Sequence, residues 1–137
     1  MKGMICVYVS STYDTDHKLS HITTSDLEVV TAGYAIVEES DSGSTRPNGL
    51  PDYQLLYIKE GCGHFLINGE EVTLTEKTAI IFHPSEPQIY RYSKIERPKT
   101  FWIHIGGPMV ENILKAFGIW NERIFNITDD SKLISSI

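Results

Sequence analysis

The sequence predicts a mainly β domain in which short antiparallel strands close into a barrel or sandwich. Strand-like runs follow one another from residue 27 to residue 105, with no stretch of helical period long enough to interrupt them. Gly, Pro and Asn-Gly punctuation separates the runs, as an antiparallel meander requires. The length of 137 residues sets the scale. A chain of that size buries roughly 68% of its unfolded surface, enough for one self-sufficient core without disulfide or metal staples.

Taken in order, residues 1–25 open with a short apolar run and continue as polar sequence with little periodicity, which reads as an arm or irregular lead-in. The barrel is expected over residues 26–107, with strands at 27–39, 53–60, 64–69, 70–76, 78–83, 88–93 and 100–105. Asn68-Gly69 stands between Phe65-Leu66-Ile67 and Val72-Thr73-Leu74, and Asn-Gly takes the positive φ angles of a type I′ hairpin. After Gly106-Gly107 the period changes. Pro108 suits a first helical position, Met109, Ile113, Leu114 and Phe117 follow at helical spacing, and Gly118 is placed to end the helix. A second helix is expected from Thr128, with Asp129 and Asp130 in its first turn and Leu133, Ile134 and Ile137 beginning an apolar stripe. Residues 108–137 thus read as the start of a helical segment whose apolar face is only begun, and the chain is expected to be a piece of a longer protein.

Charge narrows the function classes. The chain carries 18 Asp and Glu against 12 Lys and Arg, with no cluster of four basic residues to neutralise a row of phosphates, so this segment is not expected to bind nucleic acid by itself. Cys6 and Cys62 lie far apart without a CxxC pair or flanking ligand pattern and read as small buried hydrophobes. The N-terminal apolar run of five residues is too short for a signal peptide or a membrane span, so the chain is expected to be cytoplasmic and to have no membrane partner. The sequon at Asn126-Ile127-Thr128 then reads as chance.

The block at residues 46–107 resembles the sugar-sensing domain of AraC-type (AraC/XylS) bacterial transcription regulators. The residues that carry the resemblance are Arg46-Pro47, followed at the family's spacing by Asp52-Tyr53-Gln54-Leu55-Leu56-Tyr57, and it extends from about Ala32 to the C-terminus. It implies a cupin-like (double-stranded β-helix or jelly-roll) barrel with one or two C-terminal helices, an interior effector site, and a homodimer in the full-length protein. In such regulators DNA is read by a C-terminal pair of helix-turn-helix units, and this DNA-binding domain is absent from the chain.

Metal-dependent cupins carry two ligand signatures. Aligning Gly61 with the closing glycine of the first places Gln54 at the glutamate ligand and Asn48 and Leu50 at the two histidines, while the second places Gln88 at its histidine and Tyr92 at its asparagine. Neutral amides and a phenol are poor transition-metal ligands, so no metal or other cofactor is expected. His64, His83 and His104 fall on three different strands or strand ends, and each reads as an ordinary hydrogen-bonded histidine at a surface or rim position.

Strand alternation sorts the remaining candidates. If Gln88 faces inward, so do Tyr90 and Tyr92; an inward Gln54 brings Leu56 and Ile58 with it; and Trp102 shares a face with His104. Arg46, Gln54, Gln88, Tyr90, Tyr92, Trp102 and His104 form the expected effector site, a mixture of fixed polar groups and aromatic plates that suits a sugar. The resemblance implies effector contacts at Arg46, Tyr90 and Trp102. Trp102 also reads as a core filler, Tyr90 and Tyr92 as rim residues and Arg46 as a solvated loop residue. In the family the N-terminal arm can close over the sugar, which makes Tyr13, Asp14, Asp16 and His17 further candidates. Gln88 replaces the family's usual imidazole, and His104-Ile105-Gly106-Gly107 departs from its usual sequence, so effector identity stays open. A small metal-dependent cupin isomerase or dioxygenase and a stand-alone carbohydrate-binding module remain the other readings.

Overall fold

The computed structural model describes the strand backbone of residues 4–10 and, in full, residues 26–127. The expected arm contacts at Tyr13, Asp14, Asp16 and His17 and the helix expected from Thr128 lie outside the described residues. Ten strands are described: β1 (Met4–Ser10), β2 (Glu28–Val37), β3 (Ser42–Arg46), β4 (Tyr53–Glu60), β5 (Gly63–Ile67), β6 (Glu70–Leu74), β7 (Thr78–Phe82), β8 (Gln88–Tyr92), β9 (Lys99–Gly106) and β10 (Ile124–Asn126). They form a six-stranded sheet in the order β1-β2-β9-β4-β7-β10 and a four-stranded sheet in the order β3-β8-β5-β6. Adjacent strands run antiparallel. The two sheets close on one another as the expected jelly roll.

Alternation builds the core. Val37, Leu56, Ile58, Ile80 and Phe82 from the larger sheet meet Phe65, Leu74 and Tyr92 from the smaller one in a single buried cluster. Each such fully buried side chain contributes about 1.5–3 kcal/mol. All five residues of β7 are buried, because Ile80 and Phe82 face the lumen while Ala79 and Ile81 are covered from outside. A continuous apolar run in place of alternation is the sequence trace of that double burial. The β5–β6 hairpin turns at Asn68 (φ 52°) and Gly69 (φ 81°), the two left-handed residues that a type I′ turn needs.

The helix α1 (Met109–Ala116) is present, rotated from the expected stripe. Val110 and Leu114 are buried against Ile81, Tyr53, Leu55 and Ile105, whereas Met109 is 43% and Phe117 76% exposed. Pro108 is the N-cap, not the first helical residue, and Phe117 is already the C-cap, so two turns suffice to cover β7 and Phe117 lies beyond the barrel. Gly118, at φ 72°, ends the helix as expected. The chain then returns through Ile119 and Trp120 to add β10 to the edge of the larger sheet, where the sequence suggested helix. Among the described residues no helix is long and apolar enough to cross a membrane.

Candidate effector cavity

At one end of the lumen the apolar cluster gives way to a cavity of about 130 Å³. Five strands build its wall, each by alternation. β3 contributes Ser42, Ser44 and Arg46, β4 contributes Gln54 and Leu56, and β9 contributes Thr100, Trp102 and His104; Tyr90 and Tyr92 come from β8, Thr31 and Ala35 from β2. The structure therefore brings six of the seven sequence-selected residues, Arg46, Gln54, Tyr90, Tyr92, Trp102 and His104, to one wall. The seventh, Gln88, is fully buried just behind it, where its Oε1 accepts a hydrogen bond from Arg46 Nη1 at 3.0 Å. The expected shared faces of Gln88 with Tyr90 and Tyr92, of Gln54 with Leu56 and Ile58, and of Trp102 with His104 are all present. Sequence reasoning missed Thr31, Ser42, Ser44 and Thr100. For the serines the available signal was their i−2 and i−4 relation to Arg46, and for Thr100 the same relation to Trp102 and His104.

Among the described residues the wall has one cation, Arg46, and no carboxylate. Behind it, buried Asp52 accepts a hydrogen bond from His104 Nδ1 at 3.1 Å, which orients the imidazole and leaves Nε2 as its second polar atom. Burial, with the neighbouring Tyr90 adding to it, pushes the Tyr92 phenol well above its usual range, so it stays protonated. Tyr90 stacks on Phe65 with ring centroids 5.2 Å apart and lies 5.4 Å from Tyr92, which fixes its aromatic face. Three wall residues, Thr31, Gln54 and Tyr92, each hold a buried oxygen without a hydrogen-bond partner. Unpaired buried polar atoms cost about 1–3 kcal/mol each, a cost that a polar ligand can offset.

The other histidines take separate positions. His83, expected at the surface or rim, is buried outside the lumen against Trp120, with ring centroids 4.4 Å apart, and burial lowers its pKa. His64 lies on the outer face of β5, 2.6 Å from Glu96. Cys62, expected as a buried hydrophobe, is half-exposed at the β4–β5 turn and donates to Glu96. Burial first, then Glu96, raises its thiol to about 11, while the hydrogen bonds from Cys62 and His64 hold the Glu96 carboxyl below its usual range.

Compared with known families, residues 32–136 match the AraC-like ligand binding domain. Among solved structures, the chain is similar to the bacterial pirin YhhW of Escherichia coli in complex with nickel(II), at 16% identity and a TM-score of 0.56 over 77% of this chain and 45% of that one. It is also similar to the protein Ylba of E. coli, at 11% identity and a TM-score of 0.50 over 76% of this chain and 38% of that one. A third similarity is to the Cupin_2 domain of an XRE family transcriptional regulator from Enterobacter cloacae, at 21% identity and a TM-score of 0.49 over 78% of this chain and 99% of that one. No curated protein sequence matches the chain closely enough to count as a relative. At these identities the first two likenesses speak for the fold alone.

Proposed function

Because this chain belongs to the AraC-like ligand binding domain family, we propose that its barrel senses a small polyhydroxylated effector, a sugar or sugar derivative, for a bacterial transcription regulator. The observation that carries this reading is the composition of the cavity wall. Tyr90, Tyr92 and Trp102 offer aromatic surface to the C–H faces of a ring, while Arg46, Gln54, His104, Thr31, Thr100, Ser42 and Ser44 offer hydrogen bonds around its edge. A volume of about 130 Å³ is close to that of the ~150 Å³ void known to hold benzene, which supports a ligand that places one ring in the cavity. A cupin enzyme would need several metal ligands in the lumen. Among the described residues the wall supplies one, His104.

A monosaccharide of about 12 heavy atoms, bound with about −0.3 to −0.5 kcal/mol per atom, gives about −4 to −6 kcal/mol. This corresponds to dissociation constants of about 1 mM to tens of micromolar. Isothermal calorimetry against pentoses, hexoses, uronic acids and short glycosides is expected to yield a hit in that range. Silence across the panel with a folded protein would overturn the sugar reading and leave the fold untouched.

In the same reading the full-length regulator works as a homodimer in the cytoplasm and contacts DNA through a separate helix-turn-helix domain. What supports the pairing is α1, whose Met109 and Phe117 are exposed on the side turned away from the barrel. Sedimentation of a chain extended by about 30 residues, with and without effector, tests it. Such a chain remaining monomeric at tens of micromolar in both conditions would refute the dimer.

A further inference from the structure

On the outer surface of the smaller sheet, away from the cavity, Cys62, His64 and Glu96 bring a thiol sulfur, an imidazole nitrogen and a carboxylate oxygen within 4.8 Å of one another. Phe65 is fully buried in the lumen, so His64, its neighbour on β5, faces outward, and Cys62, two residues earlier, comes to the same side. Glu96 arrives from the 3-10 turn Lys94–Glu96 between β8 and β9, with its Oε1 2.6 Å from His64 Nε2 and its Oε2 accepting from the Cys62 thiol.

We propose that Cys62, His64 and Glu96 form a binding site for a zinc-class divalent transition metal on the outside of the barrel, distinct from its lumen. The donor chemistry selects the class. One sulfur, one nitrogen and one oxygen suit a borderline-soft ion such as Zn²⁺, whereas Mg²⁺ and Ca²⁺ demand oxygens. Zinc bonds of about 2.0–2.3 Å in a tetrahedron place donor atoms roughly 3.3–3.8 Å apart. The ion therefore enters by opening the Glu96–His64 contact by about 1 Å, a swing open to a carboxylate with solvent on one side. The thiol proton leaves to solvent and the imidazole proton passes from Nε2 to Nδ1, where Thr73 Oγ1 or Glu71 accepts its hydrogen bond; the thiolate, the freed Nε2 lone pair and the carboxylate then bind the ion, and water takes the fourth position.

Two features beyond the three donors support a built site. His64 Nδ1 lies 3.1 Å from Thr73 Oγ1 and 3.6 Å from Glu71 Oε1, and Arg91 holds Glu71 at 2.9 Å. Metal-ligating histidines use such a partner on the second nitrogen to fix tautomer and ring orientation. The two ligand-bearing turns are also clamped together. A Cβ at Gly61 (φ 73°) would stand 2.5 Å from the Glu96 carbonyl oxygen, so the backbones touch where only glycine fits. A bound ion would staple the β4–β5 turn to the β8–β9 turn and stabilise the domain.

The test uses cobalt(II) as a spectroscopic probe and zinc(II) as competitor on the full chain. One cobalt per chain is expected, with a near-ultraviolet thiolate-to-cobalt charge-transfer band, visible bands of a four-coordinate ion that zinc abolishes, and a higher melting temperature with zinc. Cys62→Ser is expected to remove the charge-transfer band, His64→Gln to weaken zinc by at least about tenfold, and Thr73→Val by about 10-fold through the second nitrogen. Cys6→Ser keeps the band. Circular dichroism checks each variant's fold, and Thr73→Val, which leaves all three donors in place, serves if a ligand variant unfolds. A chain that gives no charge-transfer band, a band that survives Cys62→Ser, or one that disappears with Cys6→Ser would overturn the proposal.

Discussion

The Arg46–Gln88 pair makes a prediction whose sign depends on burial alone. Gln88 is fully buried, its Oε1 accepts from Arg46 Nη1 at 3.0 Å, and its Nε2 is buried without a partner, whereas Arg46 is only half-buried. Arg46→Ala strips the acceptor of its donor and leaves both ends of the amide unpaired in the core, which should cost about 1–3 kcal/mol. Gln88→Leu fills nearly the same volume with apolar atoms, removes the unpaired Nε2 and leaves a guanidinium that water can reach. That change should cost about 1 kcal/mol or less. The double variant should then be more stable than Arg46→Ala alone by about 1 kcal/mol, so the second substitution rescues the first. Urea unfolding measures all three, provided the m value stays constant so that midpoint shifts report stability. Effector affinity should fall in both single variants, because Arg46 is either absent or no longer braced toward the cavity. A stable Arg46→Ala together with a double variant worse than either single one would refute the reasoning.

Trp102→Ala is expected to weaken the effector by about 1–3 kcal/mol, read by calorimetry, because the indole is a half-buried wall of the cavity. Unchanged affinity with a loss of about 3–5 kcal/mol in stability would make it a core residue only. His83 gives a pH dependence. Burial lowers its folded pKa below the ordinary 6.5, so the unfolded chain takes up the proton first; stability is complete above about 6.5, falls as pH drops through the lowered folded value, and then levels off. His83→Gln should flatten that part of the urea-midpoint profile, and a difference curve without slope between pH 7.5 and 5 would contradict the assignment. Leu114→Ala should cost about 2–5 kcal/mol in urea unfolding, since Leu114 is 6% exposed against Ile81, whereas Phe117→Ala should cost under about 0.5 kcal/mol in the monomer.

The barrel was legible because most of its strands carry a face that must be apolar. β4, β5, β7 and β9 announce themselves through Leu56, Phe65, Ile80 and Phe101, and Asn68-Gly69 fixes the register of one hairpin. The cavity was legible where such a strand passes it, since alternation from Gln54 or Trp102 extends to their neighbours two residues away. It was least legible at β3, Ser42-Gly43-Ser44-Thr45-Arg46. One face of that strand lines a polar cavity and the other meets solvent, so neither has a reason to be apolar and no periodic signal exists. The Arg46-Pro47 pair located the end of the strand without revealing that Ser42 and Ser44 come with it. The same blindness applies to Thr31 and Thr100, buried polar residues that read as ordinary strand formers. The outer trio fails for another reason: Cys62 and His64 share a face locally, but Glu96 joins them only because the 3-10 turn after β8 packs on Gly61. A pattern search built on burying apolar surface therefore finds the scaffold first and the site last, because a polar binding wall is polar on the face where the pattern looks for hydrophobes.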